Sequence, residues 1–288
     1  MNFSIVIGAQ RSGTTSLYEY LCRHPAIARC DYRKQTNFFA DDELWNRGPE
    51  WYRDQWELDG EDWALEASPA YAEHPRVSGV PERMASLEDQ FRFLYILRAP
   101  FDRIRSHWHH GRHTDEFDGE LSLDGALREC PQLLDNTRYA SQLARYDDVF
   151  GPEKTHVLTL ERLSEQPQAV LSDVCEFLDV DATFEFPNVD RRYNDRDANR
   201  GDSAFLSALR SLEPIRRAVR EMVPLYLRTR LKKLIAGPND DEIEYPDLDA
   251  DQRRFIRAEL EEEIERLRED DRVDVSHWRI VRGLESTD

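Results

Sequence analysis

A segment near the amino terminus combines glycine, hydroxyl and guanidinium groups at a spacing suited to holding a phosphate. Residues 8–17 read GAQRSGTTSL, between an apolar run from Phe3 to Ile7 and a stretch with helical periodicity. Backbone N–H groups at the start of a helix, together with its positive end, bind anions in this position. Gly8 and Gly13 fit the spacing of the nucleoside-triphosphatase loop, but Thr14 stands where that loop has lysine. The segment therefore predicts an anion site without the usual contact to a γ-phosphate.

A cation inside this loop takes the place of the missing lysine. The guanidinium of Arg11 can donate hydrogen bonds to a phosphate oxygen and to the oxygen that bridges to a neighbouring group. Thr14 and Thr15 add hydroxyl donors at the start of the helix. The competing interpretation is a glycine-containing turn that only caps a helix.

A second arginine and a serine form another candidate anion site. Arg98 ends the apolar run from Phe91 to Leu97, and Ser106 follows eight residues later in LRAPFDRIRSHW. Two turns of helix separate the two side chains, so both can reach one anion. Taken alone, this stretch is equally compatible with an arginine that caps a strand and a serine on a helix surface.

Together the two motifs resemble those of the sulfotransferases that use 3′-phosphoadenosine 5′-phosphosulfate (PAPS), whose 5′-phosphosulfate loop reads [KR]SGTT after the first strand. The similarity is closest to the heparan-sulfotransferase-like carbohydrate branch and its microbial relatives. It continues through CRHPAI, KQTNFF, LEASPAYAEHPRV and RYASQLARYDDVFGPEKTHVLTLERL, in the order found in that branch.

The resemblance implies a role for each residue of the two motifs. The residues implied to bind the 5′-phosphate are Arg11, Ser12, Gly13, Thr14 and Thr15. Arg11 would also stabilise charge on the leaving oxygen, and Arg98 with Ser106 would bind the 3′-phosphate.

The implied reaction is transfer of a sulfuryl group from PAPS to a hydroxyl or amine, with a carbohydrate or glycoconjugate as the preferred class of acceptor. It proceeds by in-line displacement, releases adenosine 3′,5′-bisphosphate (PAP) and needs no metal. Two other functions stay open: a phosphotransferase of the P-loop type, and a protein that binds PAP or PAPS without catalysis.

The general base is less clear, because Gln35 in KQTNFF stands where the branch has glutamate, and an amide cannot accept the proton. Glu66 in LEASPAY is the preferred base, with an ion pair to a neighbouring arginine as the competing interpretation. Asp31 is a weaker candidate, and an amine or phenol acceptor would need little help. Ala67 replaces a lysine common in the branch, and Lys34 is a possible substitute.

Composition limits the partners. A net charge of −19 and a pI of 4.9 argue against nucleic-acid binding, because phosphate backbones are bound by excess Lys and Arg. Scarce lysine in a strongly acidic chain is typical of salt-loving organisms. Four scattered cysteines favour neither a zinc site nor a disulfide framework, and His107, His109 and His110 lack the further ligands that a metal site needs. His24, before a proline at a helix end, is interpreted as a helix cap.

The elements that position these residues are predicted from periodicity. Apolar runs at 3–7, 91–97 and 156–160 are each followed by helical spacing, which predicts an α/β fold with a P-loop-like parallel sheet flanked by helices. A further helix is expected from Asp251 to about Arg268. We expect a single domain over 1–288, with a helical C-terminal part from about 203 to 288.

Two polar stretches are interpreted separately. Residues 179–202 are expected to form a loop over the site. The basic stretch 214–236 is interpreted as a solvated helix face or as a surface that touches a membrane or the acceptor. The start of the chain has no leader-like pattern and no long apolar segment, which predicts a cytoplasmic protein. Loop composition predicts neither the acceptor nor the oligomeric state.

Overall fold

The apolar runs pair into one parallel sheet. The computed structural model describes residues 1–114, 116–118, 120–189 and 247–282, all of which belong to one compact unit. The strands within these ranges are β1 (Asn2–Gly8), β2 (Ile27–Arg29), β3 (Trp63–Ala67), β4 (Gln90–Leu97) and β5 (Thr155–Thr159). Their order across the sheet is β2–β3–β1–β4–β5, and each neighbouring pair is parallel.

Burial on both faces of the sheet explains why the strands read as continuous apolar runs. Every residue of β1 after Asn2 is buried, and so is every residue of β3. Parallel strands covered by helices on both sides have no solvent face and therefore no polar alternation. The predicted α/β class with a parallel sheet flanked by helices is confirmed.

Helices connect and cover the strands. Those of the described ranges are α1 (Thr14–Leu21), α2 (Asp42–Trp45), α3 (Pro49–Arg53), α4 (Val80–Ala85), α5 (Pro100–His113), α6 (Leu123–Glu129), α7 (Gln132–Asp135), α8 (Tyr139–Phe150), α9 (Leu160–Glu165), α10 (Pro167–Leu178), α11 (Ala250–Arg268) and α12 (Arg279–Arg282). Proline at the first position of α5 and of α10 starts these helices without losing an intrahelical hydrogen bond.

The central position of β1 creates the site. The chain runs from β1 to β2 and β3 on one side of the sheet and to β4 and β5 on the other. Ligands of open parallel sheets bind outside the carboxyl ends of the strands at such a switch point. Register pairs Ile5 of β1 with Glu66 of β3 and with Phe93 of β4, so the segments that follow the three strands meet at one edge.

The third predicted strand needs a small correction at its end. β5 ends at Thr159, and Leu160, predicted as its last residue, begins α9. The hydroxyl of Thr159 accepts a hydrogen bond from the Arg162 N–H, as the N-cap of a helix does. A threonine at this point therefore ends the strand one residue early.

Helix α11 packs on the core as predicted. Ile256, Leu260, Ile264 and Leu267 are buried at helical spacing, and the helix lies against α8. Asp249 and Gln252 form a capping box at its start. No helix within the described ranges is long and apolar enough to cross a bilayer.

Two predicted segments lie largely outside the residues that the structure describes. The basic stretch 214–236 and residues 190–202 of the predicted loop lie outside the described residues. The extent of the domain and of its helical C-terminal part stays a prediction.

Candidate active site

The loop after β1, residues 9–13, turns sharply into helix α1, and we call it the phosphate loop. Arg11 and Gly13 adopt left-handed conformations, with φ of 68° and 91°. A Cβ added at Gly13 would lie 2.6 Å from Leu160 Cδ1, so the position needs glycine for both its conformation and its space. Helix α1 begins directly after this residue and points its positive end at the loop.

Two arginines hold the phosphate loop through its carbonyl oxygens. Arg98 Nη1 donates to the Arg11 carbonyl over 3.2 Å, and Arg103 Nη1 donates to the Gln10 carbonyl over 3.3 Å. A carbonyl oxygen would repel an anion bound nearby. Pairing these oxygens with guanidinium groups removes part of that repulsion.

A direct side-chain contact joins the two predicted motifs. Arg11 Nε donates to Ser106 Oγ over 3.3 Å. Ser106 lies on α5 with 2% of its surface exposed, and Arg11 and Arg98 are half-buried. The structure thus brings Arg11, Arg98 and Ser106 together at the carboxyl edge of β1 and β4, where the sequence predicted two anion contacts.

The remaining residues of the predicted loop line the same place. Ser12 is fully buried and Thr14 nearly so, while Thr15 is half-buried. Lys34 Nζ donates to Thr15 Oγ1 over 2.7 Å. Lys34 therefore brings a second cation to the start of α1, in addition to Arg11.

Glu66 lies behind this region in a closed polar cluster. Its side chain has no exposed surface, and Thr36 Oγ1 donates to its Oε2 over 2.6 Å. Burial raises the pKa of Glu66 to about 7, against the opposing hydrogen bonds from Thr36 and Tyr71. No arginine in the described part of the chain pairs with Glu66, so the ion pair considered from the sequence is not formed there.

The other two candidates near the base position differ from Glu66. Gln35 is half-buried between Lys34 and Thr36. Asp31 is exposed, and its carboxylate accepts a hydrogen bond from the Glu57 N–H over 3.2 Å. The Lys34 carbonyl accepts from the N–H of Ala67, which ties the KQTNFF segment to the end of β3.

The histidines have structural partners. His24 Nδ1 accepts from the Ala26 N–H over 3.1 Å, which leaves Nε2–H to donate to the Asp181 carbonyl over 3.0 Å. This histidine fixes the segment after α10 in addition to ending the turn after α1. No group of three or more potential ligands within the described residues could hold a metal ion.

Two residues that support the site were not identified from the sequence. Arg103 supports the phosphate loop, and Thr36 positions Glu66. Helical spacing offered a signal for Arg103, because it precedes Ser106 by three residues on the same face of α5. Nothing in the spacing of Thr36 and Glu66, 30 residues apart, indicates their contact.

A parallel sheet with an arginine-containing anion loop after its central strand, and an arginine and a serine at the neighbouring strand, defines an α/β protein of the phosphate-loop type. Within that class the chain belongs to the sulfotransferase domain family, which it matches over residues 3–196.

Curated relatives support this membership. The chain is 29% identical over 193 residues to the human heparan sulfate glucosamine 3-O-sulfotransferase 5, which covers 62% of this chain and 53% of that protein. It is also 29% identical over 196 residues to the human bifunctional heparan sulfate N-deacetylase/N-sulfotransferase 3, covering 61% of this chain and 22% of that protein. The chain thus spans about half or less of the length of these relatives.

Solved structures share the fold. A sulfotransferase from Alicyclobacillus acidocaldarius superposes with a TM-score of 0.65 at 24% identity, covering 96% of this chain and 98% of that one. The mouse sulfotransferase SULT7A1 complexed with PAP superposes with a TM-score of 0.50 at 13% identity, covering 99% and 86%.

Proposed function

We propose that this protein transfers a sulfuryl group from PAPS to a hydroxyl or amine of a carbohydrate or glycoconjugate. The contact between Arg11 Nε and Ser106 Oγ carries the proposal, because it makes one site of the phosphate loop and the second anion motif. A donor with phosphate groups at its 5′ and 3′ positions has charges for both. ATP and AMP lack the 3′-phosphate.

The residues of the two motifs are assigned to the donor. The phosphate loop from Arg11 to Gly13, with Thr14 and Thr15 at the start of α1, binds the 5′-phosphosulfate through N–H, hydroxyl and guanidinium donors. Arg98 and Ser106 bind the 3′-phosphate. The 5′-phosphosulfate then lies at the positive end of α1, which stabilises its charge.

The reaction is a single displacement. The acceptor oxygen or nitrogen forms a bond to sulfur, the bond between sulfur and the 5′-phosphate oxygen breaks, and PAP leaves. Negative charge grows on the departing phosphate oxygen, where Arg11 and Lys34 can stabilise it. The acceptor's proton passes to a base. One bond to sulfur forms as one breaks, and the proposed reaction involves no change of oxidation state and no metal.

Glu66 is assigned as that base. A pKa near 7 keeps an appreciable fraction of its carboxylate deprotonated at neutral pH while leaving it basic enough to accept a proton. The side chain lies directly behind the Lys34–Asn37 segment through its bond to Thr36. To act on the acceptor, it needs that segment to open a path to the substrate.

The carbohydrate class of the acceptor is supported by the relatives, two of which are named for heparan sulfate. We also propose that one domain over 1–288 carries the activity in the cytoplasm. The stretch 214–236 is a possible contact to a membrane surface or to the acceptor.

Incubation with radiolabelled PAPS and a panel of glycans, glycolipids, phenols and amines tests the activity. We expect labelled product from a glycan, formed equally well in excess EDTA. Label transfer from ATP that depends on Mg²⁺, with none from PAPS, would instead support a phosphotransferase.

Calorimetry separates binding from catalysis. The proposal expects PAP to bind at least ~10-fold more tightly than AMP, as one additional charge-assisted phosphate contact provides. Tight PAP binding without transfer to any acceptor would favour a nucleotide-binding protein, which Gln35 at the usual glutamate position allows.

A further inference from the structure

Arg103 is a fully buried arginine directly behind the phosphate loop. It lies on α5, three residues before Ser106, and none of its surface is exposed. We propose that Arg103 is a positioning residue of the donor site, which fixes the phosphate loop from behind and adds to the positive potential that the donor's phosphates neutralise. The inference rests on the proposed function, since it assumes that PAPS binds at this loop.

The hydrogen bonds of Arg103 join two separate segments, the phosphate loop and the stretch from α7 into the turn that follows it. Its Nη1 donates to the Gln10 carbonyl, its Nε donates to Thr137 Oγ1 over 2.9 Å, and its Nη2 donates to the Leu133 carbonyl. The planar guanidinium fixes the directions of these bonds. The phosphate loop is thereby held in register with the turn between α7 and α8.

The same turn contacts the loop a second time. Asn136 Nδ2 donates to Gln10 Oε1 over 3.4 Å, so the side chain of Gln10 is held as well as its carbonyl. A loop anchored at both groups of Gln10 keeps its N–H donors in place before a ligand arrives. Such preorganisation lowers the entropy lost on binding.

Within the part of the chain that the structure describes, every hydrogen-bond partner of the Arg103 guanidinium is neutral. Besides the two carbonyls and Thr137, its fourth partner is His107 Nδ1, at 3.4 Å from Nη1. Burial lowers the pKa of Arg103, and the nearby positive charge of Arg98 acts in the same direction. A buried cation without a carboxylate in contact is unfavourable because it has lost its hydration, and a bound anion nearby can offset that cost.

A single carboxylate reaches Arg103 indirectly. His107 accepts at Nδ1, so its Nε2–H donates to Glu116 Oε1 over 2.9 Å. Burial lowers the pKa of His107 to about 4, so the imidazole is neutral at neutral pH. Glu116 therefore offsets the charge of Arg103 only in part and through an intermediate ring. The phosphates of the bound donor would offset the rest of the positive charge of Arg103 from the opposite side.

Two substitutions test this role, and they are expected to change PAP affinity in opposite directions. Arg103→Lys keeps the charge but loses the planar fork of donors, and we expect it to weaken PAP binding ~10-fold. Glu116→Gln removes a negative charge at a partly exposed position, 28% by side chain, and we expect it to tighten PAP binding ~2-fold or more at low salt. Calorimetry with PAP at several salt concentrations measures both.

Arg105→Lys is the matched control on the same helix. Its guanidinium pairs with the carboxylates of Asp102 and Asp247. We expect PAP binding within ~2-fold of the wild type. A thermal melt of each variant shows whether it is folded under the conditions of the titration.

The outcomes are distinct. Should Arg103→Lys or Glu116→Gln bind PAP with the affinity of the wild type, while the wild type prefers PAP to AMP, the role of Arg103 is only structural and the inference is wrong. If Arg103→Lys does not fold, Glu116→Gln tests the electrostatic role alone, because Gln keeps an acceptor for His107 and removes only the charge. Unchanged PAP affinity in that variant then overturns the inference. A wild type without preference for PAP over AMP overturns the proposed function itself.

Discussion

Arg11 and Ser106 are 95 residues apart in sequence, yet Arg11 Nε donates to Ser106 Oγ over 3.3 Å. The guanidinium of Arg11 can therefore respond to both ends of a doubly phosphorylated ligand. This contact links the loop after β1 to helix α5, so we expect binding at one anion motif to depend on the other.

The first prediction follows from that dependence. Ser106→Ala removes a hydroxyl that contacts Arg11 and is assigned to the 3′-phosphate, so PAP binding should weaken ~10-fold while AMP binding changes little. A double-mutant cycle with Arg11→Lys should give a coupling of about 1 kcal/mol in calorimetric PAP affinity. Additive effects of the two substitutions would contradict a shared site.

The second prediction concerns Gly13. Gly13→Ala puts a Cβ at φ 91° and 2.6 Å from Leu160 Cδ1, so we expect a loss of about 2 kcal/mol in the free energy of unfolding. Gly13→Ala combined with Leu160→Ala relieves the clash but keeps the backbone strain. Urea unfolding of the variants separates the free energy lost to the clash with Leu160 from that lost to backbone strain. The matched control is Gly60→Ala, also at positive φ, 101°, but with open space around the added Cβ.

Much of this site was predictable from sequence because its residues lie at fixed spacing next to recognisable strands. The loop after β1 and the pair Arg98 and Ser106 each sit within one strand and the helix that follows it. Local periodicity is enough to place such side chains. The same reasoning predicted the ends of β1, β4 and β5 to within one residue.

The rest depends on contacts between distant segments. β2 has three residues, too few for a periodic signal, and β3 carries Glu66 inside an otherwise apolar run. Spacing put Arg103 on the same face of α5 as Ser106, but its role could not be assigned from sequence because two of its partners are backbone carbonyls. The surroundings of Glu66 come from separate stretches that meet only in the folded chain.

The third prediction concerns Lys34. Its ammonium reaches Thr15 at the start of α1, where charge would develop on the leaving phosphate. We expect Lys34→Met to lower kcat ~100-fold, with a smaller effect on PAP affinity, because the contact matters most in the transition state. Lys34→Arg should recover part of the activity. Steady-state kinetics with labelled PAPS measures the effects on kcat and on the KM for PAPS separately. An unchanged kcat in Lys34→Met would exclude this role. Lys154→Met, in the turn before β5, is the control.

The last prediction uses the pKa of Glu66. Burial raises that pKa from 4.5 to about 7, so the folded protein holds a proton between these values that the unfolded chain has lost. The contribution of Glu66 to the free energy of unfolding therefore falls as pH rises from about 4.5 to 7 and changes little above that. The wild type should lose about 3 kcal/mol relative to Glu66→Gln over this range.

Urea unfolding of both proteins at pH 5 and pH 8 measures this difference, and the groups that they share cancel. In Glu66→Gln the amide oxygen can still accept from Thr36. Glu57→Gln, at an exposed position, retains Glu66 and should lose stability between pH 5 and pH 8 as the wild type does. Activity then separates two roles. A base at Glu66 requires kcat to fall ~100-fold or more in Glu66→Gln, whereas a carboxylate that only holds Thr36 and the KQTNFF segment would leave kcat within a few-fold and change stability alone.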